Sequence, residues 1–259
     1  MPTITADDGC PLHVEVSGRE AGPTLMLSNS LGTNLNMWDD QAAEFGKHFR
    51  LIRYDRRGHG RSGVPAGPYS FARFGRDILA ILDALKIQKT HWCGLSMGGM
   101  DGQWLGAHAA DRIEKLVLAN TNFYYADKTP WDERIRFVRE KGLKALVGPN
   151  MERWFTKDFR VRAPQVIARM TEMFVSTNPD GYIACVEAIR DMDFRASNPG
   201  IANPTLVIVG KHDPATPPSA GEAIVSQIKG ARLVSLDAAH ISNVEQPRAF
   251  TEAVLDFLL

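Results

Sequence analysis

The sequence predicts an α/β fold in which helices flank a mostly parallel sheet and a helical insertion interrupts the core. Short β-branched apolar runs alternate with amphipathic helical segments through residues 1–121, which is typical of parallel α/β sheets. The strand pattern then stops, and only helical spacing persists until alternation resumes near residue 204. We therefore expect one core built from residues 1–121 and 198–259, with a helical cap at 122–197.

The core elements follow in chain order. Alternation around Leu12 and Val14 predicts a strand on which His13 faces solvent. Ser70 is a typical N-cap residue, and the amphipathic segment after it predicts a helix. Apolar runs predict further buried strands at 24–28, 90–93, 115–120, 204–210 and 232–236, and a last helix carries Phe250, Val254, Phe257 and Leu258 on one face.

Ser96 lies in a predicted turn from strand to helix. The turn runs from Gly94 to Gly98, with the strand at 90–93 before it and helical residues after it. This is the nucleophile elbow pattern of the α/β-hydrolase fold, in which glycines remove colliding side chains and the serine hydroxyl stands clear of the sheet. The alternative is a glycine-rich loop with a serine that caps the helix. The pattern predicts Ser96 as a nucleophile.

A serine nucleophile in this fold needs an acid and then a histidine later in the chain. Asp213 follows the strand at 204–210, where open α/β sheets place their ligand chemistry. His240 follows the next strand and precedes the last helix, so it alone among the seven histidines has the expected order and loop. We expect His240 to act as general base and Asp213 to orient it. Asp55, the rival acid, precedes the serine and so has the wrong order.

Two backbone N–H groups are candidates for an oxyanion hole. Met97 follows the nucleophile at the start of its helix, which is one expected donor position. The second donor in this fold comes from the loop after the strand at 24–28, and its position favours Leu31. An ordinary strand-to-loop turn would look the same in sequence.

The insertion is interpreted as a cap over this site. Val166, Met170 and Phe174 keep helical spacing, and Asn178 before Pro179 is a typical helix start. The insertion begins at the carboxyl end of the strand that follows the elbow helix, which favours a cap. The alternative is a set of extra helices packed on the sheet edge.

The chain resembles the 3-oxoadipate enol-lactonase family of α/β-hydrolases. The matching segments are Asn29–Thr33 with Met37 and Trp38, Tyr54–Ser62, Gly94–Met100 with Gly102–Leu105, and Gly210–Pro217. Asn29 and Ser30 stand where most α/β-hydrolases have His-Gly, and the Ser-Leu-Gly-Thr variant at Ser30–Thr33 narrows the resemblance to enol-lactonases. The resemblance implies hydrolysis of 3-oxoadipate enol-lactone in the breakdown of aromatic compounds, with no metal or organic cofactor. Carboxylesterases, perhydrolases and carbon–carbon hydrolases share most of these motifs, and a non-enzymatic ligand receptor can retain the triad.

The substrate that this resemblance implies carries a free carboxylate, which needs a cationic or hydrogen-bonding partner when buried. Trp131 and Arg134 lie three residues apart near the start of the insertion, so they share a helical face, whereas Arg136 points elsewhere. We expect Trp131 to line the pocket and Arg134 to anchor the carboxylate. A solvated basic face with a core tryptophan is the alternative.

Charge and composition exclude several function classes. The chain has 259 residues, with 30 Lys and Arg against 30 Asp and Glu, and this balance argues against nucleic-acid or anionic-membrane partners. It has no long apolar run and no leader-like N-terminus. Three widely spaced cysteines fit a reducing compartment. We expect a cytoplasmic enzyme with a small-molecule substrate and leave its oligomeric state open.

Overall fold

Eight strands form one sheet in the computed structural model, which describes residues 3–259. Residues 1 and 2, part of the predicted core and of the predicted leaderless N-terminus, lie outside this range. The spatial order is β1-β2-β4-β3-β5-β6-β7-β8. The strands are β1 (Thr3–Thr5), β2 (Pro11–Gly18), β3 (Thr24–Ser28), β4 (Arg50–Tyr54), β5 (Thr90–Leu95), β6 (Ile113–Ala119), β7 (Thr205–Gly210) and β8 (Arg232–Leu236).

Strands β3 to β8 are mutually parallel. Strand β2 runs antiparallel to both of its neighbours, β1 and β4. Parallel strands end at the same edge of a sheet, so the loops after β3, β5, β7 and β8 gather there. These loops carry Leu31, Ser96, Asp213 and His240. The predicted α/β class is confirmed, and the topology explains how residues far apart in sequence meet.

Eleven α-helices surround the sheet in the described part of the chain. They are α1 (Asp39–His48), α2 (Phe71–Ala84), α3 (Met97–His108), α4 (Thr129–Lys141), α5 (Val147–Trp154), α6 (Lys157–Arg162), α7 (Pro164–Val175), α8 (Pro179–Asp191), α9 (Pro218–Gln227), α10 (Ser242–Glu245) and α11 (Pro247–Leu258). Short 3₁₀ segments cover Leu35–Trp38, Ala110–Arg112, Leu143–Leu146 and Asn198–Gly200. Ser70 and Asn178 cap α2 and α8 through their side chains, as their positions predicted.

Side chains alternate between two apolar cores, one on each face of the sheet. Leu25 and Leu27 of β3 enter the first core, whereas Met26 between them enters the second, as expected for a strand buried on both faces. Helices α1 and α11 contribute to the first core, α9 contributes to the second, and α2 and α3 contribute to both. Trp92, fully buried beneath the elbow, fixes α3 by donating from its indole N–H to the Gly98 carbonyl at 3.0 Å.

Helices α4 to α8 make up the insertion between β6 and β7, where the structure assigns no strand of the sheet. Their apolar side chains join the first core, with Phe155 and Phe174 fully buried. That this insertion is a cap, with limits at residues 122 and 197, and that residues 1–121 and 198–259 form the core stay predictions.

His13 corrects one prediction about the N-terminal strands. Its side chain is buried rather than solvent-facing. The turn after β4 covers this side chain. The backbone N–H of His13 donates to Ser62 Oγ at 2.9 Å, and Arg61 lies beside the His13 ring. Alternation alone misses this because a loop, not a sheet, covers that face. No described helix has the length and apolar character needed to cross a membrane.

Candidate active site

Ser96 occupies a sharp turn between β5 and α3. Its backbone has φ 58° and ψ −113°, a region that residues other than glycine rarely adopt and that stores strain. Glycine is required on both sides, because a Cβ on Gly94 would lie 2.0 Å from the Gly98 carbonyl oxygen, and one on Gly98 would lie 2.2 Å from the Ser28 carbonyl oxygen. The Ser96 N–H donates to the Ala119 carbonyl at 2.8 Å, which holds the turn against β6.

The structure brings Ser96, His240 and Asp213 into one hydrogen-bonded chain. His240 Nε2 lies 2.9 Å from Ser96 Oγ, and His240 Nδ1 lies 2.8 Å from Asp213 Oδ2. A carboxylate only accepts hydrogen bonds, so Nδ1 carries the proton and Nε2 is free to accept from the serine hydroxyl. All three side chains are buried. The arrangement suits proton transfer from Ser96 to His240.

Four hydrogen bonds besides that of His240 hold the Asp213 carboxylate. Its Oδ1 accepts from the backbone N–H of Ala215 at 2.8 Å and of Thr216 at 3.0 Å. Its Oδ2 accepts from Thr216 Oγ1 at 2.7 Å and Asn120 Nδ2 at 3.0 Å. Burial raises the pKa of Asp213, but the charge of His240 and these hydrogen bonds outweigh it and hold the pKa below its usual value. The carboxylate is therefore ionised and fixed beside the imidazole.

Leu31 and Ser96 line the same cavity, and Met97 is the first residue of α3. Neither the Leu31 nor the Met97 backbone N–H has a hydrogen-bond acceptor within residues 3–259. Free N–H groups beside a serine hydroxyl are what an oxyanion hole requires.

The cavity above Ser96 has two parts. The inner part, about 60 Å³, contains Ser96 and His240. The outer part, about 520 Å³, adjoins it between α4, α5 and the loop after β7. The residues common to both are Tyr125, Trp131, Arg134, Arg153 and Ala215. The structure thus places both predicted cap residues in the wall of the cavity, and Arg134 is not part of a solvated face.

The cap side of the cavity is rich in hydrogen-bond donors. Arg134 donates to the Tyr182 hydroxyl at 2.6 Å and to Asn150 Oδ1, which are both neutral partners. Asn150 Nδ2 is buried and has no partner within the described residues. Partial burial and the charge of Arg134 lower the pKa of Arg153. Because these groups donate and carry positive charge, the wall suits an anionic or carbonyl oxygen.

Asp55, the rival acid, lies elsewhere. Its carboxylate accepts from the backbone N–H of Leu35 at 2.8 Å and of Arg61 at 2.9 Å. It therefore joins the loops after β3 and β4 and does not take part in the chain at Ser96.

Comparison with known proteins places this geometry in a family. A family profile described as the α/β hydrolase fold matches residues 23–247. The chain is 40% identical over 252 residues to 3-oxoadipate enol-lactonase 2 of Acinetobacter baylyi, covering 97% of this chain and 94% of that protein. The chain belongs to the 3-oxoadipate enol-lactonase family of α/β-hydrolases.

Solved structures agree with this membership. The enol-lactonase from Burkholderia xenovorans superposes with a TM-score of 0.97 at 45% identity and covers 99% of both chains. A thermophilic esterase from Thermogutta terrifontis reaches 0.91 at 28% identity, covering 99% of this chain and 96% of its own. The predicted fold and family are confirmed.

Sequence reasoning missed several residues of this enol-lactonase family site. Asn150, Arg153 and Trp154 all line the inner cavity from α5. Their spacing of three and four residues puts them on one helical face, and that spacing is the signal that was available. Asn120 left a weaker signal, a polar residue at the carboxyl end of β6 next to the elbow strand.

Proposed function

We propose that the protein is a serine hydrolase that opens the enol-lactone of 3-oxoadipate to 3-oxoadipate, within the breakdown of aromatic compounds. One observation carries the proposal: the hydrogen-bonded chain of Ser96, His240 and Asp213 opens into a cavity whose other wall holds Arg134, whose hydrogen-bond partners in the described part of the chain are neutral. Relatives named for this activity support the choice of substrate. The proposed setting is the cytoplasm, with no cofactor and no nucleic-acid or membrane partner.

The first half of the proposed reaction forms an acyl-enzyme. Ser96 Oγ attacks the lactone carbonyl carbon while its proton passes to His240 Nε2. The carbonyl oxygen becomes an oxyanion and accepts from the N–H groups of Leu31 and Met97, each worth roughly 10²–10³ in rate. The bond from the acyl carbon to the ring oxygen then breaks. The leaving enolate oxygen takes the proton from His240 to give an enol, which tautomerises to the ketone and stays tethered to the acyl group.

The second half releases the product. A water molecule attacks the acyl carbon and gives a proton to His240, and the same two N–H groups bind the second oxyanion. The bond to Ser96 Oγ breaks, and His240 returns the proton to the serine. Asp213 stabilises the imidazolium in both halves.

The free carboxylate of the substrate is assigned to the cap side of the cavity. Arg134 and Arg153 supply positive charge, and Asn150 Nδ2 supplies a buried donor that has no partner among residues 3–259. Trp131 packs edge-on against Tyr125, with ring centres 4.9 Å apart, and gives the cavity an apolar wall. A carboxylate bound there replaces lost hydration with charge-assisted hydrogen bonds.

The deciding experiment compares the enol-lactone with its methyl ester, which keeps the reacting lactone and removes the negative charge. We expect the protein to open both lactones and to favour the anionic one in kcat/KM. p-Nitrophenyl acetate serves as a general esterase substrate. A higher kcat/KM on this simple ester than on the enol-lactone would contradict the proposed substrate, and no turnover of any of the three would contradict the proposed mechanism.

Variants of α4 test the carboxylate site. Arg134→Ala should lower kcat/KM on the anionic lactone at least tenfold more than on its methyl ester, which is about 1.4 kcal/mol. Trp131→Ala should lower kcat/KM on both lactones. Arg136→Ala is the matched control, because Arg136 lies exposed on the same helix and outside both cavities. Equal losses on both lactones for Arg134→Ala would move the anion site elsewhere.

A further inference from the structure

His59 contacts the turn that carries Leu31. The Gly32 backbone N–H donates to His59 Nε2 at 2.9 Å, and only 1% of the His59 surface is exposed. His59 lies in the segment Tyr54–Ser62, which the sequence marked as a motif and which the proposed reaction does not use. This contact places the Tyr54–Ser62 motif next to the turn that carries Leu31.

The turn from Ser30 to Thr33 is fixed at two successive peptide groups. Thr33 donates to the Ser30 carbonyl from its N–H at 3.2 Å and from Oγ1 at 2.8 Å. The Ser30–Leu31 peptide is trans, so its N–H points away from that carbonyl. Gly32 has φ 74°, which with this hydrogen bond is typical of a type II turn. His59 holds the next peptide group through the Gly32 N–H.

The imidazole of His59 can only accept at this position. Burial and the nearby charge of Arg56 lower the pKa of His59 to about 3, so the ring is neutral near pH 7. Because Nε2 accepts from Gly32, the proton resides on Nδ1, which lies 3.9 Å from Cys185 Sγ. In a type I turn the central peptide would be reversed, and the Leu31 carbonyl would face the Nε2 lone pair instead. Neutral His59 therefore favours the observed turn.

The turn that carries His59 is itself fixed against the cap. Gly58 has φ 80°, and a Cβ there would lie 2.8 Å from Gly181 Cα on α8. Gly32 meets the cap as well, since a Cβ on it would lie 2.7 Å from Phe174 Cδ2. The imidazole is thus presented to Gly32 from a backbone that has little freedom to move.

We infer that His59 is a positioning residue for the oxyanion hole, acting through Gly32 on the turn that presents the Leu31 N–H. The inference rests on the proposed function in assigning Leu31 as an oxyanion donor. Without His59, the peptide between Leu31 and Gly32 loses its anchor, and Thr33 alone holds the turn. The transition state then loses part of the Leu31 interaction, whereas ground-state binding through the cap is unchanged.

A pair of amides one methylene apart tests the inference. The Gln oxygen in His59→Gln reaches the position of Nε2, whereas the shorter side chain in His59→Asn reaches only that of Nδ1. His59→Asn should lower kcat about 10- to 100-fold at unchanged KM, less than the roughly 10²–10³ for loss of a whole donor. His59→Gln should recover most of this loss. Equal activity of the two variants, or a loss confined to KM, would overturn the inference.

Two further measurements keep the result independent of folding and of the substrate assignment. Nitrogen NMR of the wild-type ring should show Nδ1–H, with Nε2 unprotonated, from pH 5 to 9; an Nε2–H tautomer would overturn the inference without any variant. Repeating the kinetics with p-nitrophenyl acetate separates the two proposals, because the oxyanion hole serves any ester. A higher kcat of His59→Gln than of His59→Asn on this ester supports the role of His59 even where the enol-lactone is not the substrate.

Discussion

Replacing Asn120 by glycine removes one hydrogen bond to the Asp213 carboxylate, together with the bonds of the same amide to Ala239 and Ser242. Asn120 is fully buried at the end of β6, with its Nδ2 3.0 Å from Asp213 Oδ2 and 3.2 Å from the Ala239 carbonyl oxygen. Ser242 Oγ donates to its Oδ1 at 2.6 Å, which fixes the direction of the amide. Asn120 has φ 44°, a conformation that glycine adopts freely, so Asn120→Gly removes the amide without adding backbone strain.

The expected loss follows from what Asp213 retains. A hydrogen bond to a charged group contributes roughly 1.5–3 kcal/mol, or about 10- to 100-fold in rate where all of it acts in the transition state. Asp213 keeps its bonds from Ala215 and Thr216, so the effect belongs at the lower end. We expect kcat to fall about tenfold with KM unchanged, far less than the roughly 10⁴-fold loss for Asp213→Asn.

Steady-state kinetics on the enol-lactone give the result, and thermal unfolding shows that the variant is folded. Asn198→Gly is the control, because Asn198 is also fully buried and its Nδ2 donates at 2.9 Å to both Gln103 and Gln227. Asn198→Gly should lower the melting temperature and leave kcat unchanged. A folded Asn120→Gly enzyme with kcat within twofold of wild type would refute the reasoning, as would an equal loss of kcat in Asn198→Gly.

Three other predictions follow from the site and its surroundings. Ser96→Ala should lower kcat about 10⁶-fold, and adding His240→Ala should cost little more because the two act as a unit; activity within tenfold of wild type would exclude Ser96 as nucleophile. Asp55→Asn should lower the melting temperature and leave kcat within tenfold, since its carboxylate bonds only to loops; a severe loss of kcat would make it the acid. A hydrogen bond from Arg57 lowers the pKa of Asp8 from 3.8 to about 2, so its stabilisation is present above pH 4 and is lost as pH falls toward 2. In urea unfolding, the difference between Asp8→Asn and wild type should therefore shrink over that range, and a constant difference would contradict the linkage.

Local sequence patterns were sufficient wherever one segment determines the structure. The glycines around Ser96 are required by contacts within a few residues or with the adjacent strand, and the cap of α8 by Asn178 is a local hydrogen-bond pattern. Trp131 was predicted to line the cavity because its helical face could be read from spacing. The order of Ser96, Asp213 and His240 is a property of the fold's connectivity, so the elbow pattern and the chain order that its fold requires supplied what periodicity alone does not.

The contacts that support the site depend on pairs far apart in the chain. His59 and Gly32 are separated by 27 positions, and Asn120 and Asp213 by 93. Nothing in the local pattern of either segment specifies its partner, because the sheet order decides which loops meet. The same reason explains His13, whose burial depends on a loop from the neighbouring strand.

The shared apolar core has a consequence for how substrate enters. Phe155 and Phe174 of the insertion belong to the same cluster as Leu27 and Val117 of the sheet, so the apolar interior of the insertion is continuous with that of the sheet. Opening the insertion would expose side chains of the sheet as well, so we expect its local release to cost more than the opening of an exposed loop. Slow amide exchange in α7 and α8 should match that of β5 and β6, and denaturation should show one transition. We therefore expect substrate to reach Ser96 by side-chain movement at Trp131 and Arg153, which line both parts of the cavity, rather than by release of the insertion.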